Sequence, residues 1–265
     1  MRPPTHLVIP DTQVKPGIIT DHLGWISQYI VDELYDKNLT IIHLGDHWDM
    51  PSLSSYDQGK KAMEGRRYMA DIEAGNEGFE LLNLALLRKK NKPRRILLLG
   101  NHEERIVRAA ENSAQLDGLV SLDHLNAASL GWEVYDPYVP VVIDGVTYAH
   151  YFYNPMTGRP YSGSNLETRL KNVGHSFTMG HQQGLKWGRV DTLHGPHIGL
   201  VAGSCYLHEE DYKGPQGQAH WRGVIVCHQV ENGDYDPMFI SLDYLCRRYE
   251  GVRLSRYLSR KKWRK

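Results

Sequence analysis

Five places in this sequence bring together the side chains that divalent cations take as ligands. Asp11-Thr12-Gln13 follows one apolar run, Gly45-Asp46-His47-Trp48-Asp49 a second, and Gly100-Asn101-His102-Glu103 a third. His150 closes another, and Gly180-His181-Gln182-Gln183 follows the last. Carboxylate, amide oxygen and imidazole are the donor types for Mg²⁺, Mn²⁺, Fe and Zn²⁺. Each group falls just beyond a predicted strand, where open α/β sheets bind ligands. Singly, each has an ordinary explanation: an Asp after a strand caps a helix, an Asn makes a turn, a lone strand-end His packs. Their succession in one chain favours a shared polar centre. No Walker A motif and no Gly-rich cofactor box is present.

The elements that must carry these residues follow from the hydrophobic pattern. Residues 5–10 form a buried strand, 20–37 a helix opened by Thr20-Asp21, and 41–44 the next strand. A loop rich in Ser, Asp and Gly leads to a helical stretch over 61–90. A strand at 96–99 and a helix after Asn101 complete a β-α-β-α-β order, which calls for a parallel sheet. After Gly131 the grammar changes to short strands at 132–135, 139–143 and 146–150, with Asp144-Gly145 as a hairpin turn. A helix at 165–172 and strands at 175–180, 198–203, 221–228 and 237–242 follow. The expected fold is α/β (α+β), two mixed sheets flanked by helices.

Composition sets the remaining bounds. The chain has 265 residues, 41% hydrophobic and 23% charged, with a formal net charge of zero. That is ordinary for one large globular domain, here residues 1–246. The zero hides an asymmetry: 247–265 form a basic C-terminal tail, nine Lys or Arg against Glu250 alone. Such a tail suggests a polyanion partner, nucleic acid above all, although solvated helix ends share this look. The last 20 residues alternate aromatic, Leu and basic residues, as an amphipathic helix or a segment that orders on binding. Cys205, Cys227 and Cys246 show no C-x-x-C spacing and read as reduced thiols of a cytoplasmic protein. No signal peptide and no membrane span are expected, and oligomeric state is unspecified.

Across residues 6–205 the five groups resemble the calcineurin-like metallophosphoesterases, whose pattern is D-x-H, G-D-x-x-D, G-N-H-[ED], a lone His and G-H-x-H. The chain is most similar to the phage and prophage phosphoesterases, through the stretches 50–57 and 220–223, which would set it in a host cytoplasm. Gln13 and Gln183 stand where the pattern has histidines. The resemblance implies a four-layer α-β-β-α sandwich holding two divalent cations, with Mn²⁺ foremost and Mg²⁺, Fe, Zn²⁺ or Ni²⁺ as alternatives. It assigns Asp11, Gln13, Asp46 and Gln183 to the first ion, and Asp46, Asn101, His150 and His181 to the second. Amide oxygens in place of imidazoles make the first site hard and weak.

In the same resemblance His102 is not a ligand but meets the phosphate or leaving group, the place of a general acid. Asp49, three residues past Asp46, is either the carboxylate that orients it or a surface carboxylate, and Arg105, one turn after His102 on a predicted helix, either reaches a phosphate oxygen or is exposed. The implied activity is metal-dependent hydrolysis of a phosphate ester, with a phosphodiester of nucleic acid or nucleotide preferred, as in a nuclease. The alternatives are a phosphomonoesterase, and a non-catalytic binding protein with a degraded first site. His194, His197, His208 and His220 lie downstream; they read first as surface or supporting histidines, and His208 is the best placed of them to restore an imidazole. Trp48, Tyr56, Tyr151, Tyr153 and Trp187 form either a stacking wall for a base or ordinary packing.

Overall fold

The computed structural model describes residues 3–35, 38–161, 163, 165–193, 195–210 and 213–262. Short apolar runs buried on both faces form its central strands, as parallel strands covered on each side must be. These are β1 (Thr5–Ile9), β2 (Leu39–His43) and β3 (Arg94–Leu98); the largely exposed β4 (Glu133–Tyr135) adds the edge, and all four run parallel in that order, with Leu7 opposite Ile41 and Ile42 opposite Ile96. Their alternation divides the interior. Leu7, Ile9, Ile41 and Leu97 pack with helices, whereas Val8, Ile42, Ile96 and Leu98 pack against a second sheet.

The helices on the first face are α1 (Asp21–Tyr29), α2 (Tyr68–Leu87) and α3 (Glu104–Asn112). α1 runs on into a π-helical turn over Ile30–Leu34. The single helix expected over 61–90 is two elements. A 3₁₀ turn at Lys61–Met63 ends, Gly65 takes φ 78, and Arg67 is extended before α2 begins. A positive φ cannot be accommodated inside a helix.

The rest of the chain supplies β5 (Val141–Ile143), β6 (Val146–Ala149), the two-residue strands β7 (Tyr153–Asn154) and β8 (Arg159–Pro160), and α4 (Leu166–Val173). It continues with β9 (Phe177–Met179), β10 (Leu185–Thr192), β11 (Gly195–Ala202), β12 (Gly223–Glu231) and β13 (Asp234–Ser241). Asp144 and Gly145 make the expected hairpin turn, both with positive φ. β10 was not expected: it is half-exposed and has no continuous apolar run.

The first sheet has the order β13-β12-β1-β2-β3-β4 and the second β10-β11-β9-β6-β5. β9 lies parallel to β6 and β11, so the C-terminal ends of β6 and β9 open on one side. Tyr148, Val146, Ile198 and Leu200 of the second sheet meet the first sheet across a shared core. On its outer face α4 lays Leu166 and Leu170 against Gly199, where an added Cβ would come within 3.1 Å of both side chains. The fold is thus mixed α/β, two large mixed sheets with helices against them.

The basic C-terminal segment is folded over its described length. α5 (Leu242–Glu250) is capped by Ser241, whose side chain accepts from the Tyr244 amide, and α6 (Leu254–Lys262) follows Gly251. Both pack on α1 and its continuation. Tyr257 meets Trp25 edge to face at 5.2 Å and donates to Asp21, while Lys261 pairs with Asp21 and Arg248 with Glu33. Residues 263–265 lie outside the described residues. Among those described, no helix is long and apolar enough to cross a membrane. The three cysteines are free and buried.

Candidate metal centre

The five sequence groups sit on loops leaving β1, β2, β3, β6 and β9. Backbone and buried side chains tie these loops into one unit. Glu103, fully buried, accepts from the amides of Asp46, His47, Trp48 and Gly100, and so joins the second loop to the third. A directional chain of hydrogen bonds joins the first loop to the second. The Gly45 amide donates to His43 Nδ1, so His43 Nε2 donates to Thr12 Oγ1 at 3.1 Å. Thr12 then donates to His47 Nδ1 at 2.7 Å, and His47 Nε2 donates to the Gly75 carbonyl. Burial keeps both rings neutral, pushing His43 far down and His47 to about 4.

Four of the assigned ligands, Gln13, Asp46, His181 and Gln183, have left-handed backbones at φ 42 to 64. For residues with a side chain this is costly, and it gathers at functional sites. The three glycines that directly precede assigned ligands are spatially required; a Cβ on Gly45 would lie 2.3 Å from the Leu98 carbonyl oxygen. A Cβ on Gly100 would lie 2.2 Å from Asp46 Oδ1, and one on Gly180 2.5 Å from Asp11 Oδ1.

Asp46, Asn101, His150 and His181 converge. His150 Nε2 lies 3.3 Å from Asp46 Oδ2 and 3.0 Å from Asn101 Oδ1, and His181 Nδ1 is 2.8 Å from the same Asn101 oxygen. Ligand atoms of Asp46, His150 and His181 all lie within 4.8 Å of one another. His150 donates from Nδ1 to the Leu44 carbonyl at 2.7 Å, which aims Nε2 at the centre. Burial would raise the Asp46 carboxyl, but the His102 and His150 rings hold it far below the usual range. Burial would also lower His150, yet Asp46 and Asp11 lift it to about 9. A carboxylate, an amide oxygen and two imidazoles, drawn inward to one point, fit a divalent ion such as Mn²⁺, Fe or Zn²⁺.

The remaining assigned ligands lie beside this cluster. Asp11 is fully buried, with Oδ1 on the His181 amide, and burial followed by the Asp46 charge pushes its carboxyl up to about 6 once His150 has offset part of the rise. Asp11 Oδ2 and Gln13 Oε1 are buried without a hydrogen-bond partner among the described residues. Gln183 differs: its Oε1 accepts from the Tyr206 hydroxyl at 2.9 Å and from the Lys213 ammonium.

His102 stands on the open side of the cluster. Its Nδ1 is 2.6 Å from Asp49 Oδ1 and its Nε2 is 3.7 Å from Asp46 Oδ2. Burial lowers its basicity, but these two carboxylates prevail and raise it above the usual imidazole value. Arg105 donates to the Asp49 carbonyl at 2.8 Å and reaches His102 Nε2 at 3.1 Å. Lys15 bridges Asp49 and Glu210, at 3.0 Å from each. Sequence reasoning missed Lys15, Tyr206 and Lys213, which carry no motif signal. Glu103 was legible only as the last letter of its motif.

Of the other histidines, His208 pairs with Glu210 and stacks on Tyr206 at 4.6 Å, and is not among the clustered ligands. His220 bonds Ser204 and the Gly217 carbonyl, His197 sits in β11 opposite Val190, and His194 lies outside the described residues. The aromatic wall divides. Trp48 is core, packed on His47 and Phe79. Tyr151 lies against His181 with Tyr153 beside it, and Tyr56 and Trp187 are exposed. A cleft of about 860 Å³ opens over Asn101, His102, Arg105 and His181, with Tyr56 on its rim. His181 also borders a second cavity of about 550 Å³, next to Tyr151 and Lys186.

No protein-family model matches this chain, and no curated protein sequence matches it significantly.

Proposed function

We propose that this chain is a metal-dependent phosphoric ester hydrolase, a calcineurin-like metallophosphoesterase with the four-layer α-β-β-α sandwich. The convergence of Asp46, Asn101, His150 and His181 from four separate loops, beneath the His102–Asp49 pair, carries this reading. A bound divalent ion would supply Lewis-acid polarisation of a phosphoryl oxygen and a water of lowered pKa. The chain's own residues do the rest. His102, kept basic by its carboxylates, donates its proton to the leaving oxygen. Asp49 fixes the ring through Nδ1 and so directs Nε2 to the cleft. The Arg105 amino group that donates to His102 Nε2 here would turn to a phosphate oxygen when substrate is bound, which frees Nε2 to carry the proton.

A phosphodiester of a nucleotide or nucleic acid is the substrate class we favour. A cleft of about 860 Å³ has room for a nucleotide, and the exposed Tyr56 ring at its rim offers a stacking face. Buried, unpaired thiols support a cytoplasmic setting. The test is hydrolysis of bis-aryl and mono-aryl phosphates by metal-stripped protein reloaded with Mn²⁺, Mg²⁺, Ni²⁺ or Zn²⁺. We expect Mn²⁺-dependent cleavage with the diester preferred. Monoester preference would make the protein a phosphomonoesterase. Bound metal without turnover of either ester would leave a binding protein.

A further inference from the structure

Among the first-metal residues, Asp11 Oδ2 and Gln13 Oε1 are buried without a partner among the described residues, but Gln183 does not fit a cation as it stands. A carbonyl oxygen has two lone pairs, and those of Gln183 Oε1 are engaged by the Tyr206 hydroxyl and the Lys213 ammonium. Lys213 Nζ also bonds the Tyr206 hydroxyl at 3.1 Å and lies 5.8 Å from the centre of its ring. Tyr206 is fully buried and Gln183 nearly so, which makes this a built arrangement rather than a surface contact.

The segment that bears Lys213 is pinned to the centre. The Cys205 amide donates to the Asp11 carbonyl at 2.8 Å, Lys15 holds both carboxylate oxygens of Glu210, and the Lys213 amide donates to the Glu210 carbonyl at 3.0 Å. Burial draws the Lys213 ammonium below its ordinary value, and the Glu210 and Asp11 carboxylates oppose that pull.

We propose that the Lys213 ammonium takes the place of the first metal ion, so that the protein carries a single divalent cation, on Asp46, Asn101, His150 and His181. The amide at Gln183, in place of an imidazole, then has a physical reason. A neutral amide oxygen accepts a hydrogen bond from an ammonium, whereas a metal-directed imidazole nitrogen would compete with it for the ion. The proposal rests on the metal-centre reading above.

The test counts ions in full-length, metal-stripped protein titrated with Mn²⁺, by calorimetry and elemental analysis, with exchange coupling between paired ions read by electron paramagnetic resonance. Wild type should bind one ion per chain and show no coupling. Lys213→Ala frees a lone pair of the Gln183 carbonyl beside the unpartnered Asp11 Oδ2 and Gln13 Oε1, so a second ion should bind and coupling should appear. Lys213→Met, which keeps most of the side-chain packing, should behave the same way if the alanine variant is unstable. Two coupled ions in wild type would overturn the proposal while sparing the metal-centre reading. One ion in both wild type and the Lys213 variants would show that Lys213 is not what excludes the second. No bound ion in wild type would remove the metal centre itself, and this inference with it.

Discussion

Asp49 holds His102 through a 2.6 Å contact from Oδ1 to Nδ1, while its second oxygen is held 3.0 Å from Lys15. The carboxylate is thus fixed from both ends. Burial would raise its pKa, yet the His102 contact, with Lys15 and Arg105 behind it, keeps it below the usual range. A carboxylate so fixed can both aim an imidazole and hold a proton on it.

Asp49→Asn should therefore weaken the proton on His102. The folded His102 pKa is raised, so the acid form is lost as pH climbs through it; with the carboxylate gone, that loss should occur at lower pH. The basic limb of the pH–rate profile should move down, and His102→Ala should abolish it. General acids contribute about 10²–10⁴-fold, and the loss should shrink for a nitrophenolate leaving group, which needs little protonation. Equal losses for good and poor leaving groups would remove His102 from the acid role.

Glu103 is predicted to be indispensable for a structural reason. Its two oxygens satisfy four backbone amides from the loops that carry Asp46 and Asn101. Glu103→Gln substitutes an NH₂ group for one acceptor and leaves buried donors facing a donor. Each unsatisfied buried group costs about 1–3 kcal/mol, so a loss of about 2–4 kcal/mol in urea unfolding is expected. Metal affinity should fall with it, because Asp46 and Asn101 would lose their common register. Unchanged stability with intact metal binding would refute this role.

These cases show what the sequence could and could not reveal. β1, β2 and β3 were legible because burial on both faces writes a continuous apolar run, and Asp144-Gly145 because a type I′ turn demands its residues. The clustered Asp46, Asn101, His150 and His181 were legible because each is a polar residue set directly after such a run. β10 was not, since a half-exposed strand beside β11 shows no apolar run. The break at Gly65 was hidden inside a helix-forming stretch. Lys15, Tyr206 and Lys213 gain their meaning only from neighbours far away in sequence: Lys15 reaches Glu210, and Lys213 reaches Gln183. No local pattern records such pairings.

His22 provides a pH test away from the metal residues. Its Nε2 donates to the Cys205 carbonyl at 3.0 Å, its Nδ1 is buried without a partner among the described residues, and burial pushes its pKa down to about 3. The folded ring stays neutral, while the unfolded one takes a proton below about pH 6.5. Its contribution is complete above that pH and is lost as pH falls toward the folded value. His22→Gln keeps a donor and removes the titration. The stability gap between wild type and variant should then shift by about 2 kcal/mol in the variant's favour between about pH 6.5 and about pH 5. A gap that does not change with pH in denaturant unfolding would mean the ring is not held neutral.

The C-terminal helices separate folding from polyanion binding. Tyr257 is buried against Trp25 and bonded to Asp21, and Arg248 and Lys261 are committed to Glu33 and Asp21. Deleting 251–265 would strip Trp25 of this cover, and Tyr257→Ala alone should cost about 3 kcal/mol, as large aromatic truncations do. Deletion is therefore the wrong test of nucleic-acid binding. Arg253, Arg256 and Arg260 are exposed, and replacing all three with Gln should leave the unfolding midpoint nearly unchanged. If these residues meet phosphates, affinity for single-stranded DNA should fall, and the slope of log affinity against log salt should become shallower by about two, at ~0.7 per lost contact. Hydrolysis of a small aryl diester should be untouched, since the clustered ligands all lie upstream, between Asp46 and His181. An unaltered salt slope in the triple variant would confine the basic charge of this segment to its ion pairs with α1 and its continuation.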